Sequence, residues 1–383
     1  MEVIFWLALT LLAYAYVGYP ALAAARARLF PRPHARGGEP SVSVVVVVHD
    51  EAARIAARVE NLLALDYPAE RLEIVIASDG SSDGTPERAR EWEPKGVSVV
   101  AFEMRRGKAA VLDDVVPKLR GEIVVLGDAR QTFEPAALRA LVAPFADPGV
   151  GAVSGELILR ADAATVGAGV GAYWRYEKFI RRHESLADST VGATGAIYAI
   201  RRTLFGAIPP DTILDDVLIP MTIARRGYRV LFVPEARAWD RPAATAAAEF
   251  TRKVRTLAGN FQLFACHPWL LDPRANRLWL QTVSHKGLRL LGPALLAAAA
   301  LTNATLLARP GYRLTLAAQV AFYAAAAAGH ASRHARRRVP LLAVPYVFCL
   351  LNWATVVGFA RFAGRRQRVT WDKAPRYPQE ERP

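Results

Sequence analysis

Residues 3–25 read VIFWLALTLLAYAYVGYPALAAA, twenty-three positions without a charge. One helix of that length reaches across the hydrocarbon core of a bilayer, and its exposed apolar surface is hard to place anywhere else. The run is longer than the apolar core of a cleaved signal peptide, and no small-residue cleavage site follows it. A transmembrane helix is therefore expected within residues 1–30. Three further apolar stretches lie near the C-terminus, at about 287–308, 314–331 and 339–360, the second diluted by alanine.

Basic clusters flank these stretches: Arg26, Arg28 and Arg32 after the first, and Arg333, Arg336, Arg337 and Arg338 before the last. By the positive-inside rule they face the cytoplasm, and the central region with them, as in a multi-pass protein of the inner (plasma) membrane. Orientation and headgroup attraction then account for much of the net charge of +14, and nucleic acid drops out of the expected partners. Four full crossings would put the basic segment GRRQRVTWDK (364–373) on the far side, against the same rule. Either one stretch is re-entrant or interfacial, with Pro340 and Pro345 marking the last as the candidate, or the tail breaks the rule. The only two cysteines, Cys266 and Cys349, stand in no metal or redox spacing.

Between the apolar ends the pattern changes. PRPHARGGEP (31–40) is a Pro/Gly linker. SVSVVVVV (41–48) is a continuous β-branched run, as expected of a parallel strand covered on both faces. EAARIAARVENLLAL (51–65) puts Ile55, Val59, Leu62 and Leu63 on one helical stripe. LEIVIA (72–77), VSVVAF (97–102) and EIVVLG (122–127) read as three more strands. Thr85-Pro86-Glu87 looks like a helix start with Thr85 as the cap. The alternation predicts an α/β domain over 41–245 with a mainly parallel sheet.

In such sheets ligands bind beyond the carboxyl ends of the strands. The first strand ends in His49-Asp50-Glu51, and the second in ASDGSSDGT (77–85). Arg105, Arg106, Gly107 and Lys108 follow the third, and Gly127-Asp128-Ala129-Arg130 follows the fourth. Each alone is ordinary turn or loop chemistry. Four polar clusters at one sheet edge point to a nucleotide site, with carboxylates for a ribose or a hard cation and basic groups for phosphate. Neither GxxxxGK[ST] nor a GxGxxG after the first strand occurs, so a P-loop and a dinucleotide fold are not expected.

The order VVVVVHDEAARI, IVIASDGSSDGT, RRGKAAVL, VVLGDAR resembles the nucleotide-binding half of family 2 glycosyltransferases with the GT-A fold. GATGAIYAIRR (192–202), ILDDVLIPMTIARRGYRVLFVPEA (213–236) and TRKVRTLAGN (251–260) continue the likeness. It covers roughly 40–260, and flanking membrane segments are those of polysaccharide-synthesising members. The resemblance implies a GT-A type, Rossmann-like sheet flanked by transmembrane helices, with interfacial helices over 246–285, a membrane region over 286–362 and a basic tail over 363–383. It implies inverting transfer of a sugar from a nucleotide-diphosphate donor to a glycan or lipid-linked acceptor, beside membrane lipids and possible synthase-complex partners.

The resemblance also implies residue roles. Asp216 is the catalytic base, while Asp215 can cap the helix start. Asp50, Glu51, Asp79, Lys108, Asp128, Asp215 and Arg255 bind substrate, with Asp79 on the base or ribose and Lys108 and Arg255 near phosphate. Asp128 holds a Mg2+ or Mn2+ ion. The sequence departs from the family where the usual Asp-x-Asp reads Asp128-Ala129-Arg130, and where Gln and Trp of Gln-x-x-Arg-Trp become Arg252 and Thr256. Tyr173, Trp174 and Tyr176 offer stacking faces for sugars or simply a core stripe. Two alternatives stay open: a polyprenyl-phosphate sugar transferase, and an inactive nucleotide-sugar-binding partner of a synthase, which the missing carboxylate motivates.

Overall fold

A computed structural model describes residues 1–159, 168–241, 246–332 and 340–370. The cluster Arg333, Arg336, Arg337 and Arg338, and positions 371–373 of the basic segment, lie outside the described residues. Eight strands form one sheet: β1 Val42–Val48, β2 Leu72–Asp79, β3 Val97–Phe102, β4 Ile123–Gly127, β5 Thr132–Phe133, β6 Val150–Leu159, β7 Ile197–Arg201 and β8 Arg229–Asp240. Their order is β3-β2-β1-β4-β7-β6-β8-β5.

Every residue of β1 is buried, as its unbroken valine run requires. Successive side chains enter opposite cores. Val45 and Val47 join the core beneath helices Lys108–Val115 and Asp215–Arg225. Val44 and Val46 join the one beneath Ile55–Leu63 and Ala137–Val142. In the helix Ile55–Leu63, Ile55, Val59 and Leu62 are fully buried, each worth about 1.5–3 kcal/mol against exposure. Leu63 is 36% exposed and leaves the expected stripe.

The sheet is mixed. The β3-β2-β1-β4 half is parallel, as the sequence pattern predicts. Beyond it β7 runs antiparallel to both β4 and β6, while β6 and β8 are parallel again. The turn of direction at β7 places the loop 192–196 and the start of helix Asp215–Arg225 at the edge where β1 and β4 end.

Three helices are long and apolar enough to cross a membrane: Glu2–Leu29, Pro310–Ala331 and Leu341–Ala363. A bent pair, Trp279–Leu290 and Gly292–Thr305, meets at 58° and makes a fourth candidate if taken as one span. The expected weak point moves accordingly. The last helix continues through Pro345, whereas the break falls at Gly292-Pro293, where proline removes a backbone donor. Residues 31–40 are strapped to the domain. Arg32 N donates to Leu186 O (2.9 Å), Gly37 N to Ala143 O (3.0 Å) and Arg229 to the Arg32 carbonyl (2.9 Å).

Candidate active site

The polar cluster after β2 is mostly used to lace two loops together. Asp50 adopts a positive φ of 53° after β1, a conformation Asp tolerates better than most residues. Its Oδ1 accepts from Ser82 N (2.8 Å), and its own N–H donates to Ser81 Oγ (3.0 Å). Glu51 N donates to Thr85 Oγ1 (2.8 Å), and Ala52 N to Asp83 Oδ2 (3.2 Å). Thr85 is thus not the helix cap. It lies in the first turn of Thr85–Arg90, and Asp83 accepts from its N–H at 3.2 Å.

Asp79 is wholly buried, and its carboxylate accepts from the backbone of Arg106 (2.7 Å) and Gly107 (2.8 Å). It holds the loop before Lys108 from behind and is not part of the cleft lining. Gly80 makes that approach possible. Its φ is +61°, and a Cβ there would stand 2.4 Å from Arg105 N. Gly80→Ala is therefore expected to cost about 1–3 kcal/mol through strain at positive φ. A thermal melt should shift down by several degrees as the loop before Lys108 is displaced.

The other expected residues share one cleft of about 3180 Å3, large for a single small molecule. Asp50, Glu51, Lys108, Asp128, Asp215, Asp216 and Arg255 all line it. Lys108, at the first turn of its helix, is the centre. Its Nζ donates to Asp128 Oδ1 (3.2 Å) at the end of β4 and lies 3.4 Å from Asp215 Oδ2. Burial opposes its charge, but Asp215 and then Asp128 overcome that and hold the ammonium pKa above the ordinary lysine value. For Asp128, burial pushes upward, and the charges of Lys108 and Arg130 outweigh it, so the carboxyl stays below its usual value.

Asp216 behaves differently. Burial and the adjacent Asp215 push its carboxyl up to about 6, against the pull of Lys108, Lys286 and a hydrogen bond from Gly195 N (2.9 Å). Of the two neighbouring acids, Asp215 lies beside the lysine ammonium, and Asp216 is the one held nearer neutrality. Arg255 comes from the helix Ala246–Cys266. Burial lowers its pKa, while the fields of Asp215, Asp216 and Asp128 act in the opposite sense. One of its nitrogens donates to Val369 O (3.0 Å), and its Nε is buried without a partner among the described residues.

Arg130, which stands where a second metal carboxylate is usual, lies 3.4 Å from Asp240. Among the described residues no group of three or more His, Cys, Asp or Glu side chains converges as a metal site. The donor set fits a hard cation held by Asp128 together with phosphate oxygens of a bound nucleotide, the manner in which Mg2+ is commonly held.

Several contributors escape the sequence patterns. Tyr198 of β7 donates its hydroxyl to Asp215 Oδ2 (3.3 Å). Arg58 is buried behind Asp128, donating to Gln131 O and Asn61 Oδ1 (both 2.9 Å), with its guanidinium 4.1 Å above the Phe133 ring. Its position in an amphipathic stripe gave no signal beyond a cation that ought to face water. Tyr173, Trp174 and Tyr176 line the cleft, but cations already cover them. Lys253 stands 5.1 and 4.9 Å from the rings of Tyr173 and Trp174, and Arg289 5.2 Å from Tyr176.

This combination of a parallel half-sheet, an antiparallel return and acids at their junction defines a class. Residues 40–259, more than half of the chain, match the glycosyltransferase-like family 2, and the chain belongs to that family. It is 25% identical over 243 residues to a Bacillus subtilis protein named as a probable glycosyltransferase, YdaM. It is 25% identical over 228 residues to the poly-beta-1,6-N-acetyl-D-glucosamine synthase of Staphylococcus aureus strain COL. Both matches cover 58% of this chain and 55% of the relative, about half the length of these curated proteins. The mannosyltransferase PcManGT of Pyrobaculum calidifontis, solved with GDP-Man and Mn2+, superimposes with a TM-score of 0.73 at 24% identity. That likeness covers 95% of this chain and 99% of the other, and establishes the GT-A fold.

Proposed function

We propose that the protein is a membrane-bound glycosyltransferase that moves a sugar from a nucleotide-diphosphate donor to a hydroxyl of a glycan or lipid-linked acceptor, with inversion, in polysaccharide synthesis. The observation that carries this reading is the division of labour around Lys108. Asp128 and Asp215 are tied to its ammonium, whereas Asp216, one residue on, has its carboxyl raised to about 6.

In the reaction Asp216 accepts the acceptor's proton as its oxygen attacks the anomeric carbon from the face opposite the diphosphate. The bond to the leaving diphosphate breaks, and the sugar is inverted in this single displacement. Lys108 and Arg255 meet the negative charge that develops on the departing nucleoside diphosphate. A divalent cation at Asp128, Mg2+ or Mn2+, would supply further neutralisation there. Asp50 and Glu51 border the nucleotide end of the cleft, and Asp79 acts from behind by fixing the 106–107 backbone. The apolar helices support placement in the plasma membrane with this domain on the cytoplasmic side.

The test is a panel of nucleotide sugars given to the full chain in nonionic detergent, with release of nucleoside diphosphate as the readout. One donor should be turned over well above the others, and chelation with EDTA should suppress turnover. A chain that binds a donor but turns over none, with or without Mg2+ and Mn2+, would count against an active transferase.

A further inference from the structure

Arg130 is held differently from an ordinary loop arginine. It follows soon after β4, and the pairing of β5 with β8, Thr132 opposite Trp239, brings it back against Asp240, the last residue of β8. Asp240 is itself fixed. Its Oδ1 accepts from Arg241 N (2.8 Å) and its Oδ2 from Gln131 Nε2 (2.9 Å), and its side chain is only 5% exposed. Arg130 Nε stands 3.4 Å from this buried anchor, while the side chain, 38% exposed, lines the cleft.

The contact with Asp240 engages one edge of the guanidinium. The terminal amino groups donate no hydrogen bond among the described residues, although a guanidinium carries five N–H donors. The charge of Arg130 acts on Asp128 and opposes that of Arg255, whose own Nε is buried without a partner among the described residues. Acids are close as well: Asp240 beside Arg130, and Asp215, Asp216 and Asp128 within reach of Arg255. The surplus here is therefore one of hydrogen-bond donors, not of charge. Planar forks with free donors match the oxygens of a phosphate.

Arg130 also stands where a second metal carboxylate is usual. Two carboxylates with a bound divalent ion carry no net charge, and neither do Asp128 and Arg130 together. The arginine thus reproduces the electrostatic balance of a metal-loaded pair from the chain itself. It also weakens the hold of Asp128 on a cation, because a fixed positive charge acts on the same carboxylate.

We propose that Arg130 is a diphosphate-binding residue, which holds the nucleoside diphosphate whether or not a divalent cation is bound at Asp128. This rests on reading the cleft as a nucleotide-diphosphate site, and it divides the work within that site. Binding of the leaving group belongs to the chain, and the cation is left to the transfer step. EDTA should then suppress turnover and leave the diphosphate bound.

The test measures binding with no sugar donor or acceptor present. Full chain in nonionic detergent is titrated with UDP, GDP, ADP and CDP, each in excess EDTA and in excess Mg2+. The tightest binder should keep its affinity within about threefold between the two buffers, a small free-energy difference. Arg130→Gln should lose about 10–100-fold in EDTA, the range of one charge-assisted hydrogen bond. Wild-type binding that disappears in EDTA would overturn the proposal, and this arm stands even where the variant fails to fold. EDTA-resistant binding that survives unchanged in Arg130→Gln would overturn it too, because another group then holds the phosphates. Failure of the underlying reading looks different: none of the four nucleotides binds in either buffer. An inactive chain is distinguishable again, since it binds the diphosphate in EDTA and turns over no donor.

Discussion

Asp216→Asn should abolish transfer while leaving the fold intact. The amide keeps the shape of the side chain and its hydrogen bond to Gly195 N, but it cannot take a proton. General-base catalysis commonly contributes about 10²–10⁴-fold, and kcat should fall by at least that much, with donor affinity changed far less. The pH profile gives an independent check. The base is active when deprotonated and its carboxyl sits at about 6, so the rate should fall roughly tenfold per pH unit below that value. Above it the profile should flatten. Wild-type activity in Asp216→Asn, or a profile flat down to pH 4, would remove the assignment.

Lys108→Met should have the largest effect on stability at the site. The methionine fills the volume but leaves Asp215 and Asp128 facing each other across the place of the ammonium. Lys108 is 16% exposed and Asp215 12%, so this is a largely buried pair, and removing one partner of such a pair costs about 3–5 kcal/mol. Asp128 is 38% exposed to the cleft and can recover some solvation, which favours the lower end, about 3 kcal/mol. The variant should melt several degrees lower and bind nucleotide diphosphate weakly. It should also become relatively more stable as pH is lowered, because the stranded carboxyls then take up protons and lose their repulsion. A melting temperature equal to wild type at pH 7 would show that the lysine is not the electrostatic centre described above.

The parallel half was legible because its strands are short runs rich in Val and Ile: Val42–Val48 is buried throughout as its valine run requires, while β3, at the sheet edge, carries the same residue types but stays largely open to solvent. The antiparallel return was hidden for a physical reason. IYAIR at β7 carries the same local signal whichever way its partner runs, and direction is set by contacts with β4 and β6 far away in sequence. Site residues divided along the same line. Asp128, Lys108, Asp215 and Asp216 sit next to strand or helix ends, where sequence shows them. Arg58 and Tyr198 reach the site through burial and close approach, which no spacing encodes. Lys286 was missed because hydropathy averages one charge away among apolar neighbours. The prolines of the last stretch did not mark the bend: Pro345 is accommodated within a continuous helix, and the 58° bend lies beside Gly292-Pro293.

The strap over residues 32–40 has a mechanical consequence. Tied at Leu186, Ala143 and Arg229, it leaves the apolar helix Glu2–Leu29 no slack against the sheet. On the membrane-bound reading proposed above, a domain anchored this rigidly would work at a set height above the bilayer. The length of the acceptor's headgroup, more than any swivelling of the enzyme, would then decide which oxygen is glycosylated, as a ruler does.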